Sequence, residues 1–149
     1  MAPDAQLMAW EVLALGLRQS GQPYASGRYL QHFEIEGVWL DRGWIDGADT
    51  RLMDGPVGLQ GHRCLGTLVL ASGSVLDSER LVQALSQARE VAIPSGAWLG
   101  VTSPHPRLVV ARVFAHQTEP AMTILQAIWA RWRSSQWGLA PTASRIWRV

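Results

Sequence analysis

The chain has 149 residues, 48% of them apolar, and a formal net charge of +1. That composition supports one domain with its own core and excludes a disordered chain. The charge is too small for nucleic-acid binding through a bulk electrostatic field. It is also uneven: residues 1–60 carry eight acids and four arginines, whereas residues 120–149 carry four arginines and no acid, a pattern read as solvated surface.

Every basic residue is an arginine, so each cation presents a planar head with several donors. Eight tryptophans are more than a small core ordinarily uses, and aromatic excess also marks partner surfaces. Cys64 is the single cysteine, which fits a reducing compartment. The start, MAPDAQLMAW, lacks a charged segment leading into an apolar one. The apolar run Leu7–Leu17 is interrupted by Glu11 and Gly16 and falls short of the ~20 residues of a spanning helix. The expectation is a soluble, cytoplasmic protein with no membrane or nucleic-acid partner.

Taken in order, residues 6–17 suit either helix or strand, and Gly16 with residues 20–23 ends the element. Phe33, Ile35, Val38 and Leu40 alternate around Glu36-Gly37, which predicts a hairpin over 28–40. Residues 41–49 read as loop or short strand. From Gly55 to Gly73 the sequence gathers five glycines, a proline, His62 and Cys64. This is not a phosphate loop, because there is no lysine and the next segment reads as strand. Gly55, Gly58, Gly61 and Gly66 instead supply positive φ or close backbone approach. Cys64–Ala71, a compact apolar run, predicts a buried strand.

Asp77-Ser78-Glu79 opens a helix, with Leu81, Ala84, Leu85 and Ala88 on one face and Arg89 in the last turn. Residues 97–102 and 107–115 read as strands joined by a rigid Ser-Pro-His-Pro connection. A second helix begins with Thr118 as N-cap, Glu119 at N1 and Pro120 in the first turn. Ala121, Leu125, Ile128 and Trp132 centre its apolar face, flanked by Met122, Ile124 and Trp129. The arc spans about 160°, wide enough to meet two neighbours. Gly138 and Pro141 end the helix, and the tail 140–149 reads as extended. The whole predicts a mainly β protein, in stacked or helical sheet layers, with two α-helices in one domain, 1–149.

No residue pattern declares an active site. His62 and Cys64 would share a face if both lay on a strand. Two such donors could hold nickel or zinc, or serve a small thiol or metal enzyme; the competing reading is a strand edge with one buried thiol. His32, His105 and His116 fall at no metal-ligand or catalytic spacing in the sequence. Glu11, between Trp10 and Val12, either points to solvent or faces a polar interior, since a buried unpaired carboxylate is costly.

Several segments together resemble the C-terminal half of the urease accessory protein UreD (UreH) family. LMAWEVLALG at 7–16 is similar to that family's apolar segment with an acidic residue after tryptophan. SGQPYASGRYLQHFEI at 20–35, GLQGHRCLGTLVLAS at 58–72, and IWARWR with the closing SRIWRV are similar to later segments in the same order. The resemblance departs where Leu17 and Arg18 follow Gly16, at Gln22 and at Ser144, and the family's N-terminal half has no counterpart.

The resemblance implies a non-enzymatic scaffold for nickel insertion into urease. Such a scaffold binds UreF, through it UreG, and the urease subunits, with nickel passing in transit and no tightly bound cofactor. On that basis Glu11 is the candidate for metal passage, with His62 and Cys64 behind it. Trp129, Trp132 and Trp137 are the candidate partner residues, Trp137 foremost because it falls about 140° from the centre of the apolar arc. The alternatives are the thiol enzyme and a truncated remnant without function.

Overall fold

The computed structural model describes residues 1–17 and 20–147. Arg18, named above among the departures, and the last two residues of the tail, Arg148 and Val149, lie outside them. Among the described residues the strands and α-helices are β1 Gln6–Ala14, β2 Gly16–Leu17, β3 Gln22–Pro23, β4 Arg28–Ile35, β5 Trp39–Asp46, α1 Thr50–Asp54, β6 Cys64–Ser72, α2 Ser78–Arg89, β7 Trp98–His105, β8 Leu108–Ala115 and α3 Thr118–Trp137. The protein is mainly β, as the sequence predicts, with two long helices and the one-turn α1 besides.

Four strands form an antiparallel sheet in the order β1-β6-β8-β7. Its centre is β6, whose run CLGTLVLAS is buried at nearly every position, as expected of a strand covered on both faces. Side chains alternate across it. Cys64, Leu68 and Leu70, with Val109, Ala111, Val113 and Ala115 of β8, face the helices. Val69 and Ala71, with Leu108 and Val110, face the other way.

Helices α2 and α3 lie on the first face. Asp77 caps α2 by accepting from the Arg80 amide at 2.8 Å. Helix α3 inserts Ala121, Ile124, Leu125, Ile128 and Trp132, all fully buried, against both the sheet and α2. The wide apolar arc therefore does meet two neighbours. Gly66 leaves room for it: a Cβ there would stand 2.9 Å from Leu125 Cδ1. Gly138, at φ +64°, ends the helix in the left-handed region.

On the opposite face lies the β4–β5 hairpin, paired in the register Gln31↔Gly43 and Phe33↔Asp41. Ile35, Phe33, Val38 and Trp39 pack onto Val69, Ala71, Leu108 and Val110. A third cluster, Leu15, Ile45, Met53 and Leu59, seats α1 beneath the hairpin's other end. The stretch 55–63 is the loop that wraps α1. Leu59 donates its amide to the Leu52 carbonyl at 2.7 Å, and Gly61 donates to Met53 at 3.0 Å. Gly55 and Gly58 pass so close to α1 carbonyls that a Cβ would collide, and Gly61 takes φ +77°.

Four details differ from expectation. Residues 41–46, read as loop or short strand, belong to the second hairpin strand, so the hairpin extends beyond 28–40 to Asp46. Strand β7 runs through Ser103 and Pro104 to His105, with a register irregularity between Thr102 and His105; Pro104 is tolerated because β7 is an edge strand. The cap position of α3 is Gln117, which makes no side-chain cap bond, so Thr118 is the first helical residue. Within the tail, Arg145–Trp147 form a 3-10 turn.

Candidate functional site

The space between sheet and hairpin holds a polar seam. Glu11 pairs with Thr67 across β1–β6, Thr67 with Arg112 across β6–β8, and Arg112 with Gly100 across β8–β7. Directly paired residues share a face, so Glu11, Thr67 and Arg112 form one row on the hairpin side. From the hairpin, Gln31 and Asp41 point into the same layer. Gln31 Nε2 donates to Glu11 Oε1 at 3.1 Å and to Asp41 Oδ2 at 2.9 Å, so one amide spans two carboxylates. Arg112 Nη2 donates to the same Asp41 oxygen, and its guanidinium stands 5.9 Å from the centre of the Trp39 ring.

The electrostatics follow from this arrangement. The Glu11 carboxyl is held above its ordinary pKa, first by burial and then by the nearby Asp41 charge, while Arg112 pulls the other way. Two acids share one cation and one amide, with Gln31 and Thr67 both buried. The seam offers oxygen donors and no soft ligand. No group of three or more His, Cys, Asp and Glu capable of holding a metal occurs among the described residues.

Glu11 thus faces a polar interior, in contact with residues that sequence reading passed over. Gln31 falls in the inward set of β4 with Phe33 and Ile35, and Arg112 in the inward set of β8 with Val110 and Phe114. A polar residue in an apolar alternation was the available signal in both.

His62 and Cys64 are not side by side on a strand, because β6 begins at Cys64. His62 lies in the preceding turn, its Nδ1 donating to the Leu59 carbonyl at 2.8 Å, and it stacks on His116 with ring centres 4.5 Å apart. Cys64 joins the helix-side core, and burial pushes its thiol up to about 11. Little thiolate then exists at neutral pH, which disfavours nucleophilic or ligand chemistry. A cavity of about 190 Å³ opens beside it, lined among others by Gly16, Arg63, Cys64, His116 and Thr118.

The three tryptophans differ in setting. Trp132 is fully buried and donates Nε1 to the Ala84 carbonyl at 2.8 Å. Trp129 is partly buried between Trp10 and Trp147, with ring centres 6.4 and 4.8 Å away, and Arg133 lies over its face at 5.5 Å. Trp137 is partly exposed and donates Nε1 to Gln6 Oε1. Gln6 also accepts from Arg80, which donates to the Gln136 side chain and carbonyl, so Trp137 joins a network tying β1, α2 and α3.

The model of the UreD urease accessory protein family matches residues 1–148. A urease accessory protein UreD of Paracidovorax citrulli is 50% identical over 151 residues, covering all of this chain and 55% of that protein. Those of Albidiferax ferrireducens and Polaromonas sp. are 49% and 46% identical, with the same coverage. The chain therefore spans about half the length of the curated relatives it matches, and it belongs to the UreD urease accessory protein family.

Proposed function

We propose that the chain serves urease maturation as a non-enzymatic scaffold. It would act in the cytoplasm in a complex with UreF, with UreG through UreF, and with the urease subunits, while nickel is delivered. The observation that carries this reading is the polar seam in a chain of this family: Glu11 and Asp41 face one interior layer, bridged by Gln31 and balanced by Arg112. A few oxygen donors with an arginine competing for them hold a divalent borderline ion weakly, which suits passage more than storage. The high pKa of Cys64 supports a role without thiol chemistry. No helix among the described residues is long and apolar enough to cross a membrane.

The test is co-expression with UreF, UreG and urease subunits, measuring both capture of the partners and the nickel content of the recovered urease. Wild-type chain is expected to co-purify with UreF and urease. Glu11→Gln is expected to keep that capture and to lower nickel loading severalfold. Unchanged nickel loading would remove Glu11 from the passage; absence of capture by the wild-type chain would remove the scaffold.

A further inference from the structure

The tail leaves the body and returns to it by one side chain. After α3, the Leu139 amide donates to the Arg133 carbonyl at 3.2 Å, and Arg133 Nε donates to the Ala140 carbonyl at 3.0 Å. Residues 138–143 are all exposed and form no helix or strand. From Pro141 onward, among the described residues, the backbone bonds are local ones: Thr142 donates to Ala140 at 2.9 Å and Trp147 to Ser144 at 3.1 Å. What brings the end of the tail back is the Trp147 ring. Its centre lies 4.7 Å from that of Trp10 and 4.8 Å from that of Trp129.

The seat it takes is built by other parts of the molecule. Trp10 is on β1, at the edge of the sheet, and Trp129 is on α3; both pack on the helix-side core. Their rings stand 6.4 Å apart, so they form the two walls of a shallow groove. Trp147 is tilted by 52° to one wall and stands nearly perpendicular, at 86°, to the other. Tilted and edge-to-face contacts at such distances are favoured by aromatic rings, so the groove suits a flat aromatic side chain. Arg133 lies over Trp129 at 5.5 Å and also holds Ala140, which steadies the groove and the root of the tail together. A long exposed segment anchored by one ring costs conformational entropy to order and gains little packing in return. It is the part of the molecule that opens first.

We propose that the Trp10–Trp129 groove is a recognition site for an extended peptide presenting one tryptophan, and that the chain's own tail is the strap that fills it until such a segment of a partner protein takes its place. The occupant is chosen by what already sits there: the tail shows that an irregular segment carrying one indole fits. The inference does not depend on nickel transfer or on the polar seam.

The experiment titrates a fluorescently labelled peptide of residues 140–147, APTASRIW, into the full chain and into its Trp147→Ala variant. The peptide is expected to bind the variant, and to bind the wild-type chain about tenfold more weakly, as for a groove open about a tenth of the time. The same peptide with alanine in place of its tryptophan is expected to bind the variant at least about tenfold more weakly. Trp147→Ala should lower the melting temperature by no more than about 5 °C. In the wild-type chain, hydrogen exchange across 141–147 should run at least about a hundredfold faster than in α3; this needs no variant. Binding to neither chain, equal binding to both, or a melting loss as large as that of Trp132→Ala would each overturn the proposal. So would exchange across 141–147 as slow as in α3, or a wild-type dimer that Trp147→Ala dissolves, which would place the tail of a second copy in the groove.

Discussion

The two faces of the central sheet are built on opposite terms. On the helix side, Leu68, Leu70, Val109, Ala111 and Val113 meet α2 and α3 in a dry layer, where even the polar Trp132 Nε1 is spent on a backbone carbonyl. On the hairpin side, apolar packing at Val69, Ala71, Leu108 and Val110 gives way to Glu11, Gln31, Asp41 and Arg112. The first layer holds the fold together; the second keeps charges half-buried in mutual contact, an arrangement that contributes little net stability once desolvation is counted. The same sheet can then carry a robust core and a responsive seam, because alternation sends neighbouring residues of one strand to different environments.

That contrast can be broken most forcefully from the helix side. Trp132→Ala removes a fully buried ring and its hydrogen bond to the Ala84 carbonyl, so a loss of ~3–5 kcal/mol is expected, read as a large drop in thermal or urea midpoint. A small drop accompanied by lost capture of UreF or urease would instead make Trp132 an interface residue. Gly66→Val tests the closeness of α3: its side chain meets Leu125, and overpacking of ~1–3 kcal/mol is expected, measured by the same denaturation.

Seam substitutions should act less and depend on pH. Gln31→Leu strips the amide from two carboxylates, with an expected loss of ~1–2 kcal/mol at neutral pH that shrinks in acid as Glu11 is protonated. The smallest effect has the opposite sign. Because the Glu11 pKa is raised, chiefly by burial, the folded chain holds that proton more tightly than the unfolded one. Ionised Glu11 is therefore destabilising: the cost is absent below the unfolded pKa and develops as pH rises through the folded value. Glu11→Gln should raise the melting temperature by about 1–3 °C at neutral pH and lose that advantage in acid, as a melting series across pH would show. A neutral-pH decrease would mean that the Arg112 attraction outweighs burial.

Much of this was legible in the residues. The glycine-rich turn into Cys64–Ser72, the Asp77 cap, the Glu36-Gly37 turn and the apolar arc of α3 each follow from local chemistry, and each stands in the structure. Residues 6–17 were ambiguous because their apolar pattern suits two periodicities; pairing of 6–14 with β6 over nine positions decides for strand. The seam was half legible. Glu11 was singled out as a carboxylate in an apolar run, but its partners were not, since Gln31 is 20 residues away and Arg112 meets Asp41 across 71.

By itself, the sequence determined the order and kind of most elements, the central buried strand and the family. Turn chemistry, caps and side-chain period act over a few neighbouring residues, and those neighbours are written consecutively. Only the tertiary structure decided that Glu11 turns inward, that Gln31 spans two acids and that Cys64 sinks into the helix-side core. Those outcomes depend on which distant strands pair and which layer covers them, and no local signal encodes that competition.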